Sequence, residues 1–406
     1  MNVRLNAKEI NLNSKIEITG SKSETNRLLL LKALYPNIVI ENASNSDDSE
    51  VMNSALTANH IIDVHHAGTA MRFLTAYFAS QENKTVTLTG SSRMKERPIK
   101  ILVDALIQLG AKIEYLENDG FPPIKISGQK LNSCRVSLPA NVSSQYISAL
   151  LLIAPSLQNG LELELIGEIT SIPYINMTLK LLNEINVETT FVNNKIVVKP
   201  LDQDPKSKTL IVESDWSSAS YFYSIIALSK AGTQIELSNF KENSLQGDAI
   251  LATIYEQMGV ETHFNDGKIT LVKTQNSIKQ NIVLDLNSAP DIAQTIAVTA
   301  FGLGIGCQLT GLHTLKIKET DRLEALQIEL SKLGAPISVT NDSLKIEPSK
   351  SINSNQNIAT YNDHRMAMAF APLALKKNIN IENAEVVSKS YPNFWNDLKK
   401  VGFEIS

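Results

Sequence analysis

Six times along this chain a polar or charged turn opens a helix of small residues, at Ser21, Thr69, Ser143, Ser217, Asp291 and Asp363. Subtracting successive residue numbers gives intervals of 48, 74, 74, 74 and 72. Four of the five are nearly equal, and a period that steady means one folding unit used repeatedly. The same openings leave bare backbone N–H groups beside basic residues, which suits an anionic ligand.

A second series runs in step with the first. A second helix in each unit is expected to end at Asn59, Gly110, Asn186, Gly259, Gly334 or Gly402, since Asn and Gly take a left-handed cap at little cost. Strand-like runs follow at 111–115, 187–191, 260–264 and 336–339. Turns then come at Asn118-Asp119-Gly120, Asn193-Asn194, Asn265-Asp266-Gly267 and Asn341-Asp342, before second strands such as 196–198 and 269–272. Such turn residues between alternating apolar runs predict hairpins. The unit therefore reads as helix, strand, helix, hairpin. In the first unit only residues 60–66 separate Asn59 from the next helix, so one strand and its turn are expected to be missing.

At 406 residues the chain exceeds what one core supports, and six units divide into two sets of three. The expected class is α/β, with domains at 20–213 and at 1–19 plus 214–406. The N-terminal stretch has no helix of its own and is expected to complete the sixth unit's sheet.

A net charge of −4 gives no general attraction to nucleic acid, so any anion must be held by local clusters. Cys134 and Cys307 make no disulfide framework and read as packing residues of a reducing compartment. No signal peptide is apparent, and the longest apolar run, 366–375, is too short for a membrane span and contains a proline. A cytoplasmic chain is expected.

The charged residues gather at helix openings. Lys22 and Arg27 bracket a Ser-rich start that includes Ser23, without the pattern of a Walker loop. Gly68 would admit a ligand close to the backbone, and the loop at 91–98 carries Arg93, Lys95 and Arg97 before Pro98, expected in the first turn of the next helix. Ser143, Ser144 and Gln145 add hydrogen-bonding groups, and Ser171 and Tyr174 precede another helix. Asp291, the run Lys318-Glu319-Thr320-Asp321-Arg322 after a strand-like 315–317, Asp363-His364-Arg365, and Lys389 complete the set. Taken singly, each could be ordinary capping or a solvated helix end. Most of them fall at the same end of a repeated unit, which singles that end out. Trp216 and Trp395 read as core or interface aromatics.

The motifs GSKSETNR, AGTAMR, RMKERPI, VSSQY, SIPYI, SDWSSASYF, KIKETDR and YNDHRMAM, in this order, resemble the 3-phosphoshikimate 1-carboxyvinyltransferases, or enolpyruvylshikimate-phosphate synthases. The resemblance spans essentially the whole chain. It implies an inside-out α/β barrel fold of two three-repeat domains closing over a site. It also implies transfer of the enolpyruvyl group of phosphoenolpyruvate to the 5-hydroxyl of shikimate 3-phosphate, without metal or organic cofactor. Carried over by motif, Lys22, Ser23, Arg27, Ser143, Ser144, Gln145, Ser171, Tyr174 and Lys318 would hold shikimate 3-phosphate. Gly68, Arg93, Gln145, Arg322, Arg365 and Lys389, with Lys22, would surround phosphoenolpyruvate. Asp291 resembles the base for the 5-hydroxyl and Glu319 the acid for the vinyl carbon. The two small molecules are the expected partners of a monomer, with no nucleic acid and no membrane. His66, Thr314 and Phe73 depart from residues usual in the family.

The charge arithmetic agrees with that implication. Two ligands, each with one carboxylate and one phosphate, bring roughly −5 to −6. Lys22, Arg27, Arg93, Lys318, Arg322, Arg365 and Lys389 would meet them, and would repel one another without ligand, so an open ligand-free form is expected. Two rivals fit less well. The sister enolpyruvyltransferase acting on UDP-N-acetylglucosamine usually has a reactive Cys in a mobile loop, and 91–98 has none. A ring-shaped clamp would not need paired acids such as Asp291 and Glu319.

Overall fold

The computed structural model describes residues 1–7, 9–140, 143–169, 172–201, 205–275, 278–349 and 351–406. It divides into two compact units, Gly20–Val212, and Met1–Thr19 with Glu213–Ser406.

Within Gly20–Val212 the full repeat is clearest after residue 60. Strand His60–Asp63 leads into helix Gly68–Ala79 and then strand Thr85–Thr89, which pairs with the first in parallel. Helix Lys100–Gln108 precedes the hairpin of Lys112–Tyr115 and Ile124–Ser127, whose second strand returns to pair antiparallel with Thr85–Thr89. The next unit repeats this with Arg135–Pro139, helix Ser144–Ile153, Leu161–Ile166, helix Ile172–Glu184 and the hairpin Thr189–Val192/Lys195–Val198. Asn193 takes the left-handed conformation (φ 53°) at that turn.

The first unit departs from expectation by more than one strand. Among the described residues its strand Ile38–Glu41 pairs only with Lys208–Ile211, in parallel, and it has no hairpin. The run at 60–66 contributes instead the leading strand of the second unit. Helix Asp47–Thr57 ends at Ala58, and His60 (φ 68°), not Asn59, is left-handed.

Helices Gly68–Ala79 and Ser144–Ile153 are buried nearly throughout and pack on each other and on Lys22–Leu34. Fully burying a Leu or Phe contributes roughly 1.5–3 kcal/mol each, so these small and branched apolar residues supply the core.

Among the described residues, the compact unit Met1–Thr19 with Glu213–Ser406 has three four-stranded sheets. The N-terminal strand Val3–Asn6 sits between Ile379–Ile381 and Glu404–Ile405, antiparallel to both, which completes the sixth sheet. Strand Ser14–Ile16 pairs in parallel with Gln234–Ser238 of the fourth unit. Hairpin Val260–Asn265/Lys268–Lys273 turns through Asp266 and Gly267, both with positive φ (45° and 73°) as a tight primed turn requires. Strands Ile337–Val339 and Leu344–Ile346 form the corresponding hairpin of the fifth unit.

Helices Trp216–Leu228, Ala293–Leu303 and His364–Phe370 form the centre of this unit, with Trp216 fully buried and Trp395 partly buried against the core. The repeat shows in their contacts. Ser220 pairs with Thr295 at 3.1 Å and Thr299 donates to Ser224 at 2.7 Å, each pair 75 residues apart. Equivalent positions of successive units therefore meet, and their hydroxyls satisfy one another inside the core. In both units the helices are central and no sheet closes on itself among the described residues.

The helix openings were sharpened by local chemistry. Ser21, Ser143 and Asp363 are N-caps whose side chains accept from backbone N–H groups. The cap before Trp216 is Asp215 rather than Ser217, and the helix after Ala67 has no side-chain cap, so Thr69 does not serve as one. Asp291 lies in a 3-10 turn, Pro290–Ile292, ahead of its helix. Residues 315–317, expected as strand, belong to the 3-10 turn His313–Ile317, and Pro98 lies before the N-cap Ile99.

Candidate active site

In the unit containing Glu213–Ser406, one guanidinium organises the charged residues. Arg322, 1% exposed, opens helix Arg322–Lys332, whose N-cap is Asp321. Its Nε donates to Asp363 Oδ2 at 2.7 Å, Nη1 to Asp291 Oδ1 at 2.9 Å and Nη2 to Glu319 Oε2 at 2.8 Å. Lys318 Nζ stands 3.3 Å from Asp291 Oδ1, and Arg365 Nη2 stands 3.3 Å from Asp291 Oδ2. Asp363, wholly buried, also caps Arg365 N at 2.9 Å. Lys389 Nζ donates to Asn362 O at 2.5 Å, one residue before Asp363.

Asp291, Lys318, Glu319, Arg322 and Arg365 are thus brought into one network, with Lys389 at its margin. Burial would raise the Asp291 carboxyl, but Lys318, Arg365 and Arg322 outweigh it and hold it far below the usual carboxylate range. Burial likewise works against the Arg322 and Arg365 cations, and their surrounding acids overcome it and raise both. The expected self-repulsion of these cations is met locally by Asp291, Glu319 and Asp363.

Two further groups had no functional reading from sequence. Ser217 accepts from Arg365 Nη2 at 3.2 Å and donates a short hydrogen bond to Asp248 Oδ2. Asp248, 3% exposed, is pushed up to about 6 by burial and then by Asp291, with Arg365 and the Ser217 hydrogen bond opposing. In the sequence it is a lone acid after Gln246-Gly247, outside the helix openings that mark the repeat.

The unit Gly20–Val212 holds a second group. Lys22 Nζ is 3.0 Å from Asp48 Oδ2, a partner that sequence reasoning missed. Arg27 is 2% exposed; Nε donates to Thr178 Oγ1 at 2.8 Å, Nη1 to Ser23 O at 2.7 Å, and Nη2 to Ser148 Oγ at 2.9 Å and Tyr174 O at 3.4 Å. It lies over the Phe73 ring at 5.5 Å and the Tyr174 ring at 6.0 Å. Burial lowers its pKa to about 10, with Tyr174 and Glu24 opposing. Phe73 therefore has a role of its own, as the apolar floor beneath Arg27.

Gln145 Nε2 donates to Thr69 Oγ1 at 3.1 Å, which places it beside Gly68, and Ser143 Oγ accepts from Gln145 N at 3.4 Å. Ser144, in the first turn of the same helix, is buried. Arg93 forms an ion pair with Glu96 at 3.0 Å, and His66 Nδ1 lies 2.9 Å from Ser91 Oγ. Ser171 lies outside the described residues.

Comparison with solved structures defines the class first. The fold matches an EPSP synthase from Acinetobacter baumannii with a TM-score of 0.79 at 21% identity, covering 100% of this chain and 99% of that one. It also matches the enolpyruvyl transferase NikO from Streptomyces tendae with a TM-score of 0.75 at 14% identity, covering 100% and 98%. This is the enolpyruvyl transferase fold.

Sequence relatives narrow it. The model of the EPSP synthase (3-phosphoshikimate 1-carboxyvinyltransferase) family matches residues 53–398. A 3-phosphoshikimate 1-carboxyvinyltransferase of Bacteroides fragilis (strain YCH46) is 46% identical over 97% of this chain and 96% of its own. One of Histophilus somni (strain 2336) is 34% identical over 96% of each. The chain belongs to the EPSP synthase family.

Proposed function

We propose that this chain transfers the enolpyruvyl group of phosphoenolpyruvate to the 5-hydroxyl of shikimate 3-phosphate and releases inorganic phosphate, in the shikimate pathway to aromatic amino acids. The observation that carries the reading is the Arg322 guanidinium shared by Asp291 and Glu319.

The chemistry needs two acids in different roles. In the addition, a proton goes to the methylene carbon of phosphoenolpyruvate, and the 5-oxygen bonds to its C2 as the hydroxyl proton leaves. In the elimination, the C2–O bond to phosphate breaks and a proton leaves the new methyl group, restoring the double bond. Asp291 takes the hydroxyl proton, and Glu319 delivers and retrieves the proton on carbon, with Lys22 assisting.

Three cations facing Asp291 keep it ionised but make it a weak base in the free protein. Anionic groups that engage Lys318, Arg322 and Arg365 reduce that field and raise its basicity when substrate is present. In this assignment Ser23, Arg27, Ser143, Ser144, Ser171 and Tyr174 belong to shikimate 3-phosphate. Gly68, Arg93 and Lys389 belong to phosphoenolpyruvate, and Gln145 to both. All act from one chain, so a monomer suffices, and substrates too charged to cross a membrane unaided set the reaction in the cytoplasm. Among the described residues no helix is long and apolar enough to cross a membrane.

The test is phosphate release with both substrates, against omission of either one. Release that requires both supports the reading, and no release with both present refutes it.

A further inference from the structure

One buried cation has no task in the assignment above. Arg97 is 8% exposed, its Nε is enclosed without a hydrogen-bond partner, and it forms no ion pair among the described residues. A guanidinium carries five N–H donors and does not give up its charge, so burying one unpaired is costly. Such a group is accounted for when a bound anion completes it.

Its position says where that anion sits. A Cβ built on Gly68 would fall 2.5 Å from Arg97 Nη1, 2.8 Å from Nη2 and 2.9 Å from Cζ. The guanidinium therefore lies directly against the Gly68 Cα, at the start of helix Gly68–Ala79. That helix follows Ala67 and has no side-chain cap, so its first-turn N–H groups and positive dipole end face the same place. Gln145 reaches the spot from another helix through Thr69 Oγ1.

The arrangement is braced. Arg72 donates Nη1 to Gly68 O at 3.2 Å and Nη2 to Pro98 O at 2.9 Å, which ties the residue after Arg97 to the helix. Tyr146 OH donates to the same Pro98 carbonyl at 2.6 Å. Carbonyl oxygens engage Arg72, whereas Arg97 keeps its donors for something else.

We infer that Arg97, together with the uncapped first turn of the Gly68 helix, binds an oxyanion group of phosphoenolpyruvate, either its phosphate or its carboxylate. The inference rests on the functional reading above and adds a binding residue to it.

Arg97→Met, of similar length and no charge, tests it, with Arg97→Lys as a second variant that keeps the charge. Wild-type phosphate release is measured first, because its absence would defeat the functional reading rather than this inference. Thermal melts are then taken alone and with phosphoenolpyruvate, inorganic phosphate or pyruvate, alongside steady-state kinetics. Arg97→Met is expected to melt no lower than wild type without ligand, since an unpaired buried charge is gone. It should lose the melting rise given by phosphoenolpyruvate, and its KM for phosphoenolpyruvate should rise about tenfold or more while that for shikimate 3-phosphate stays within about threefold. Arg97→Lys should recover part of the affinity. Lost protection by inorganic phosphate identifies the phosphate as the bound group, and lost protection by pyruvate identifies the carboxylate. A lower ligand-free melting temperature with unchanged KM for phosphoenolpyruvate would make Arg97 a packing residue and overturn the inference. Should Arg97→Met not fold, an unchanged KM for phosphoenolpyruvate in the neutral variant Arg97→Gln does the same.

Discussion

Asp291 and Glu319 are held by opposite ends of one guanidinium, Arg322 donating Nη1 to the first at 2.9 Å and Nη2 to the second at 2.8 Å. Their separation is thereby set by a rigid planar group, not by two independent rotamers. Nε of the same side chain is anchored on Asp363, which is fully buried. A base and an acid that must act on neighbouring atoms gain from this, because small misplacements are costly in rate.

Arg322→Lys keeps one charge but cannot bridge three carboxylates. Leaving buried acids without their partner should cost about 3–5 kcal/mol of stability. Turnover should fall by about 100-fold or more. Urea unfolding and kcat check both, and a variant with wild-type kcat would show that the shared guanidinium does not position the two acids.

Glu319→Gln preserves shape and an acceptor for Arg322 but removes the transferable proton. Substrate affinities measured by equilibrium binding should change little, while kcat falls by about 10²–10⁴. Near-normal turnover would remove Glu319 from its assigned role.

Asp248 gives the protein a pH-dependent stability term. Its folded value is about 6 against an ordinary 3.8, so between those values the folded state holds the extra proton. Stability from this group is therefore lost as pH rises through that window, amounting to roughly 3 kcal/mol. Asp248→Asn should gain on wild type by about that amount between pH 4 and pH 7, read from urea unfolding at each pH. A constant difference across the window would mean that Ser217 and Arg365 already stabilise the carboxylate fully.

Tyr361 and Asn362 are consecutive non-glycine residues in the left-handed region, with φ of 54° and 55°. The strain is held by buried Glu329, which accepts from Tyr361 OH at 2.6 Å and from Ala359 N at 3.3 Å. Tyr361→Phe removes a hydrogen bond to a charged group and should cost about 1.5–3 kcal/mol. Because that turn delivers Asp363 and Arg365, kcat should fall with it. Loss of stability without any loss of turnover would separate the turn from the site.

Much of the fold was legible because its signals are local. The Asn193 and Asp266-Gly267 turns select tight hairpins through backbone sterics alone, and Gly110, Asn186, Gly259, Gly334 and Gly402 all take positive φ where helix ends were expected. Caps failed where a competing group stood nearby, as when Asp215 displaced Ser217. The short interval after Asn59 showed that the first unit lacks a strand and its turn, but not that residues 60–63 would join the next sheet and leave the unit without a hairpin.

By itself the sequence determined the repeat, the class of most elements and the residue types gathered at the helix openings, since these depend on neighbours a few positions apart. Only the tertiary structure decided which charges meet. Arg322 finds Asp363 across 41 residues, Ser217 finds Asp248 across 31, and Arg97 comes to rest on the Gly68 Cα. A pairing of that kind is set by how whole helices pack, and the free energy of a buried charge depends on the partners that packing supplies.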